Sequence, residues 1–224
     1  MTGRMFPFVT ETWNPVRGSC PYDCSYCWAK TLIKRHNYAK YQGETVLDDR
    51  ALGKIPDKGF VFVQDMSDIS VLLKPAAYVL SNIFRERPEA TYLLLTKNPN
   101  WYYMMQCEGV GFPDNVILGA TIETNREIPV SKAPHPLSRF DALNWLSKHS
   151  GKRLFISIEP IMEFDYDQLL KAILKVKPWA VAVGYDNYRN GLPEPNLAKV
   201  MLLISQLRVN GITVYEKTLR EASA

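Results

Sequence analysis

Cys20-Pro21-Tyr22-Asp23-Cys24-Ser25-Tyr26-Cys27 sets three cysteines in the spacing C-x3-C-x2-C, directly after the first strand-like segment of a 224-residue chain. Thiolates are the protein ligands of iron-sulfur clusters, and one short loop can hold three sulfurs around a cubane while leaving the fourth iron without a protein ligand. An open iron is a place for chemistry. A structural zinc site is the competing reading, but such sites usually close with four ligands in paired sets, and the one remaining cysteine, Cys107, is far along the chain. A disulfide framework fits less well, because a chain of this length with no secretory segment does not need covalent staples.

Outward from this loop, short apolar runs alternate with helical segments. Residues 6–13 read as a first strand, ended by Asn14-Pro15 and Gly18. A predicted helix over 28–41 carries Lys30, Lys34, Arg35 and Lys40, either as a solvated face or as a surface for an anionic substrate. Residues 42–59 read as a polar connection. Residues 60–63, 92–96, 116–121, 154–158 and 180–183 are apolar runs of the kind found in fully buried parallel strands. Helices are expected over 75–87, with Pro75 in the first turn, and over 98–106, 137–148, 165–177 and 194–208. Asn210-Gly211 ends the last of these, and 212–215 adds a final strand. The Trp, Tyr and Met residues of 98–106 read as core packing, and Cys107 as a small buried apolar residue. The segment 123–136, with Pro129, Pro134 and Pro136, is a long loop that reads equally as a lid or binding loop and as a rigid surface connection.

Strand then helix, repeated six times, predicts an α/β fold: a parallel sheet with right-handed crossovers that curls into an open, partial (β/α)6 barrel as a single domain. A closed barrel needs eight such units. A hydrophobic content of 46% suffices for one sizeable core. No run approaches the roughly 18 apolar residues of a spanning helix, and residues 1–7 hold no apolar leader segment, so a cytoplasmic protein with no membrane partner is expected. The net charge of +4 is compatible with an anionic partner but well short of a nucleic-acid signature. Active sites of such barrels gather at the C-terminal strand ends. Those ends carry Glu11, Asn14, Asp65, Asp68, Thr96, Lys97, Glu123, Asn125, Glu159, Asp186 and Asn187.

The cysteine spacing, with the aromatic Tyr26 immediately before the last cysteine, resembles the radical S-adenosylmethionine (radical SAM) superfamily. Trp13-Asn14-Pro15, Leu93-Leu94-Leu95-Thr96-Lys97, Ile156-Ser157-Ile158-Glu159-Pro160 and Val181-Ala182-Val183-Gly184 are similar to a compact branch of phage and prokaryotic members. The resemblance therefore covers most of the chain and makes 1–224 one radical SAM core domain. It implies that Cys20, Cys24 and Cys27 bind a 4Fe-4S cluster whose open iron takes the methionine end of S-adenosyl-L-methionine, with Tyr26 near the adenine. Where many members carry Gly-Gly-Glu, this chain has Gln64-Asp65-Met66-Ser67-Asp68, which makes Ser67 or Asp68 the contact to the cofactor's amino group. Glu123, Asn125, Ser157 and Glu159 would meet ribose, the methionine carboxylate or substrate, and Gly184 and Tyr185 would let backbone approach adenine. The implied activity is reductive cleavage of S-adenosylmethionine to a 5'-deoxyadenosyl radical that takes hydrogen from a substrate, with an electron donor of reductase, flavodoxin or ferredoxin type as partner. The resemblance does not choose the substrate, since relatives act on nucleic acids, peptides and small metabolites. A reading from another class is a non-catalytic iron-sulfur or zinc protein that binds nucleic acid, drawing on the basic helix, the 12 tyrosines and the positive charge.

Overall fold

The computed structural model describes residues 5–222. In chain order it runs β1 (Glu11–Trp13), β2 (Val16–Arg17), α1 (Trp28–His36), β3 (Val46–Leu47), α2 (Asp49–Leu52) and β4 (Gly59–Val63). Then helix and strand alternate: α3 (Lys74–Arg85), β5 (Ala90–Thr96), α4 (Asn100–Cys107), β6 (Val116–Thr121), α5 (Pro136–His149) and β7 (Leu154–Ile158). The chain continues with α6 (Tyr166–Val176), β8 (Ala180–Val183), α7 (Leu197–Val209) and β9 (Thr213–Glu216). Seven strands form one sheet in the order β1-β4-β5-β6-β7-β8-β9, every neighbouring pair parallel. It is the curled half-barrel expected from six strand–helix units and a last strand.

Alternation within the apolar runs shows why they are apolar throughout. Phe62, Leu93, Ile117 and Phe155 point to the concave side, where they pack with Phe6 and Val9. Their neighbours Val61, Val63, Leu94, Leu118 and Ile156 point outward under the helices. Both faces are buried, so neither can be polar. The concave side is filled from the N-terminal segment: the Phe6 ring lies 5.0 Å from Phe155 and 5.8 Å from Phe62. Phe6 therefore belongs to the barrel filling, and the first strand starts only at Glu11.

Three other expectations change. The helix from Trp28 ends at His36, not at 41, because Asn37 takes a left-handed conformation at φ 47°, one that Asn tolerates better than most side chains. A turn over Ala39–Tyr41 follows. The polar connection holds structure of its own, since β3 pairs antiparallel with β2 and Asp48 caps α2. In α4, Trp101, Tyr102 and Met105 are core residues, but Tyr103 and Met104 are exposed, and Cys107 is exposed and not buried; the short helix has one inward face, and 107 is off it. Among the described residues no helix is long and apolar enough to cross a membrane.

Candidate active site at the barrel mouth

The cysteine loop springs from the β2–β3 hairpin. Gly18, at φ +97°, lets the chain pass so close to Glu44 that a Cβ would stand 2.2 Å from its carbonyl oxygen, a placement open to glycine alone. Ser19 N–H then donates to the Gly43 carbonyl at 3.1 Å. At the loop tip the Asp23 carboxylate pairs with Lys30 and, at 3.2 Å, with Lys132. Lys132 belongs to the long loop after β6, which is neither a free lid nor an idle connection. It straps the cysteines down: Ser25 N–H donates to Val130 O (2.8 Å) and Lys132 N–H to Tyr22 O (2.6 Å). Ile128, Val130 and Ala133 pack on Tyr22, Cys24 and Tyr26.

Cys20, Cys24 and Cys27 line one cavity of about 560 Å³ at the C-terminal ends of the strands. Cys27 is the N-cap of α1, and no side chain caps that helix, so its first-turn N–H groups and positive dipole end lie beside the thiols, where negative charge is favoured. Burial pushes the Cys20 thiol up to about 12, against a hydrogen bond from the Tyr22 backbone, and raises that of Cys24, which Lys97 opposes. Metal binding at these residues would therefore release protons. Among the described residues no three His, Cys, Asp or Glu converge on a single-ion site; the thiols instead flank a shared volume.

Behind the loop, four side chains from four elements meet. The Tyr26 hydroxyl and the Lys97 ammonium both donate to Glu123 Oε1, and Arg139 donates to Oε2 at 2.8 Å. Lys97 Nζ also reaches Tyr26 Oη at 2.7 Å and lies 5.0 Å from its ring. Glu123 and Arg139 are each 3% exposed. Burial pushes the Glu123 carboxyl up, but Lys97 and Arg139 outweigh it and hold the group at about 2. Burial, then Glu123, push the Tyr26 phenol far above its ordinary value.

The turn after β4 is built differently. Gln64, at φ 68°, folds its side chain onto Val16, accepting from N–H at 2.9 Å and donating to the carbonyl at 3.2 Å. Asn14 Oδ1 accepts from the N–H groups of Asp65 and Met66 at 3.0 and 3.3 Å. The turn thus fixed presents Asp65, Ser67 and Asp68 to the cavity. Asp68 is fully engaged, taking Ser70 N–H and Thr96 Oγ1 on one oxygen and Lys97 N–H on the other. Asp65 Oδ1 and Ser67 Oγ are buried with no partner among the described residues. Burial raises the Asp65 carboxyl, with Asn14 opposing.

Across the cavity, Ser157, Glu159, Tyr185 and Lys217 form the facing wall. Lys217 Nζ binds Glu159 Oε2 at 2.9 Å and the Met5 carbonyl at 2.5 Å. Burial raises the Glu159 carboxyl, and Lys217 only partly offsets this.

Of the residues expected at the cofactor, the three cysteines, Tyr26, Ser67, Asp68, Ser157, Glu159 and Tyr185 share this cavity. Others are placed elsewhere. Asn125 clamps Asp165, accepting from its N–H at 2.9 Å and donating to its carbonyl at 3.2 Å. Glu123 sits behind Tyr26 and Lys97, with both oxygens taken. Gly184 has its backbone engaged, its N–H on the Ile158 carbonyl at 3.2 Å and its carbonyl on Ile161 N–H at 2.7 Å, and its bare face is covered by Lys217, whose Cβ would lie 2.9 Å from an added methyl. Arg139 and Lys217 were not foreseen. Arg139 could have been, as a charge on the stripe it shares with Leu143 and Leu146, both core residues. Lys217 stands directly after the last strand, β9, and nothing local in the sequence marks that strand end as part of the mouth.

A family model described as a protein of unknown function (DUF5131) matches residues 5–185. No curated protein matches the chain in sequence. Among solved structures, a mutant of spore photoproduct lyase superposes with TM-score 0.54 at 13% identity, over 82% of this chain and 59% of that one. Streptococcus suis SuiB bound to S-adenosylmethionine gives 0.54 at 10% identity over 95% and 51%, and SuiB bound to the precursor peptide SuiA 0.54 at 10% over 94% and 49%. The chain thus spans between half and three fifths of the length of these relatives. What it shares with them is the fold, a curled half-barrel of parallel strands.

Proposed function

The chain belongs to the family of proteins of unknown function DUF5131, and from its site we propose that it is a radical SAM enzyme, with a 4Fe-4S cluster on Cys20, Cys24 and Cys27 and S-adenosylmethionine in the adjoining cavity. One observation supports this reading: three thiols line the same cavity as two buried polar atoms that lack partners among the described residues, Asp65 Oδ1 and Ser67 Oγ. Buried polar atoms are satisfied in nearly all native structures, so these two call for a ligand with hydrogen-bond donors. The ammonium of the cofactor's methionine end has them.

The donor set fits the cluster as well. Thiolates are its ligands, three of them leave an iron free, and the uncapped start of α1 favours the negative charge they gather. When bound, such a pair would supply reductive cleavage of the sulfonium and so a radical able to take hydrogen from a substrate. The protein's share is placement: Tyr26 is pinned by Glu123, the strap 123–136 holds the loop, and the Phe6 filling closes the barrel beneath. That chemistry would require an external one-electron donor.

Anaerobic reconstitution with iron and sulfide, then reduction with S-adenosylmethionine, tests the reading. Charge-transfer absorbance of a cluster and release of 5'-deoxyadenosine are expected in the wild type, and neither when all three cysteines are replaced by Ala. Equal cleavage by the variant would sink the proposal.

A further inference from the structure

Of the described residues lining the cavity, only Lys97 and Lys217 carry positive charge, and Lys217 is paired with Glu159 on the far wall. On the cysteine side stand two carboxylates, Asp65 and Asp68, and one cation, Lys97. Lys97 donates to the hydroxyl of Tyr26, the residue immediately before the third cysteine, and its Nζ lies 5.0 Å from the ring centroid. The side chain is only 16% exposed, so water and salt screen it weakly. Arg139 shares Glu123 with it but binds the opposite oxygen.

We propose that Lys97 governs how readily a cluster on Cys20, Cys24 and Cys27 accepts its electron. The proposal rests on the cluster reading above. One electron passes from an external carrier of flavodoxin or ferredoxin class to the cluster; the carrier is oxidised, and no bond forms or breaks. The added negative charge arrives beside three thiolates and two carboxylates. A fixed ammonium next to the loop stabilises that state over the oxidised one, and does so whatever the balance among Glu123, Arg139 and Asp68. Since Glu123 keeps Arg139 and Tyr26 without it, the loop does not need Lys97 for its shape.

Potentiometric titration followed by electron paramagnetic resonance, on reconstituted protein with iron and sulfide content measured, reads this directly. In Lys97→Met the equilibrium constant for reduction is expected to fall about tenfold, which for a one-electron couple moves the midpoint about 59 mV more negative. Lys97→Arg is expected to keep the wild-type midpoint. A fully loaded Lys97→Met with the wild-type midpoint overturns the proposal, as does an equal shift in Met and Arg variants, which would assign the effect to shape. Lys97→Gln is read in the same way where the Met variant does not load. A wild type that takes up no cluster brings down the cluster reading itself, and this proposal with it.

Discussion

The two sides of the cysteine loop are built on opposite terms. Behind it, Glu123 and Arg139 are almost wholly buried, and with Tyr26 and the partly buried Lys97, each from a different element, they satisfy one another. In front of it, the turn after β4 keeps Asp65 Oδ1 and Ser67 Oγ without partners, and Glu159 bears a carboxyl that burial disfavours as an anion. Saturated polar groups hold a shape; unsaturated ones wait for a ligand. The back should therefore govern stability, and the front binding.

The strongest way to break that division is Glu123→Ala. It leaves Lys97 and Arg139 without their shared carboxylate, and removing one partner of a buried pair costs about 3–5 kcal/mol. Urea denaturation of the chain before iron is added should show a loss of that size. Acid gives the signed counterpart. The Glu123 carboxyl is held at about 2 when folded, against an ordinary 4.5. Its contribution is thus complete above about 4.5 and fades as pH falls from there toward 2. Wild type should lose stability through that window, and Glu123→Gln should lose less of what remains to it.

Gly184→Ala tests the far wall. The added methyl would sit 2.9 Å from Lys217 Cβ and 3.4 Å from Thr218 N. Overpacking of this kind costs about 1–3 kcal/mol, less than losing Glu123, and a calorimetric melt measures it. A cost equal to that of Glu123→Ala would erase the distinction between the two sides.

How much of this could be read beforehand follows from the range of each signal. The apolar runs at β4 to β8 and the spacing of Cys20, Cys24 and Cys27 are local; the first point to the half-barrel, and the second picks out a loop that lines the cavity at its mouth. The ion pairs are not local. Glu123 meets Tyr26 and Lys97 only because β5 and β6 lie side by side beneath a loop from the far N-terminal side, and nothing near residue 123 reports that. The same holds for Gly184, whose bare face is filled by a residue more than a strand and helix later. Asn125 looked like a ligand for want of any sign that Asp165 would come beside it. Polar residues at strand ends mark the mouth of a barrel; which of them remain unsatisfied is decided by tertiary contacts alone.

The smallest expected effect is the most discriminating, because its sign differs between the two properties measured. Ser67 Oγ is buried without a partner, and an unmet polar group of that kind costs about 1–3 kcal/mol. Ser67→Ala removes the group and leaves the turn, which Asn14 and Gln64 hold through other atoms. The unliganded chain should therefore be as stable as wild type or more so, by up to about 1 kcal/mol, with a slightly higher melting temperature. Under the proposed function, equilibrium dialysis of the reconstituted protein should in turn show weaker retention of S-adenosylmethionine, because the ligand would lose a hydrogen bond from that wall of the cavity. A variant that loses stability would show that Ser67 has a structural partner, and unchanged retention would show that its hydroxyl takes no part in holding the ligand.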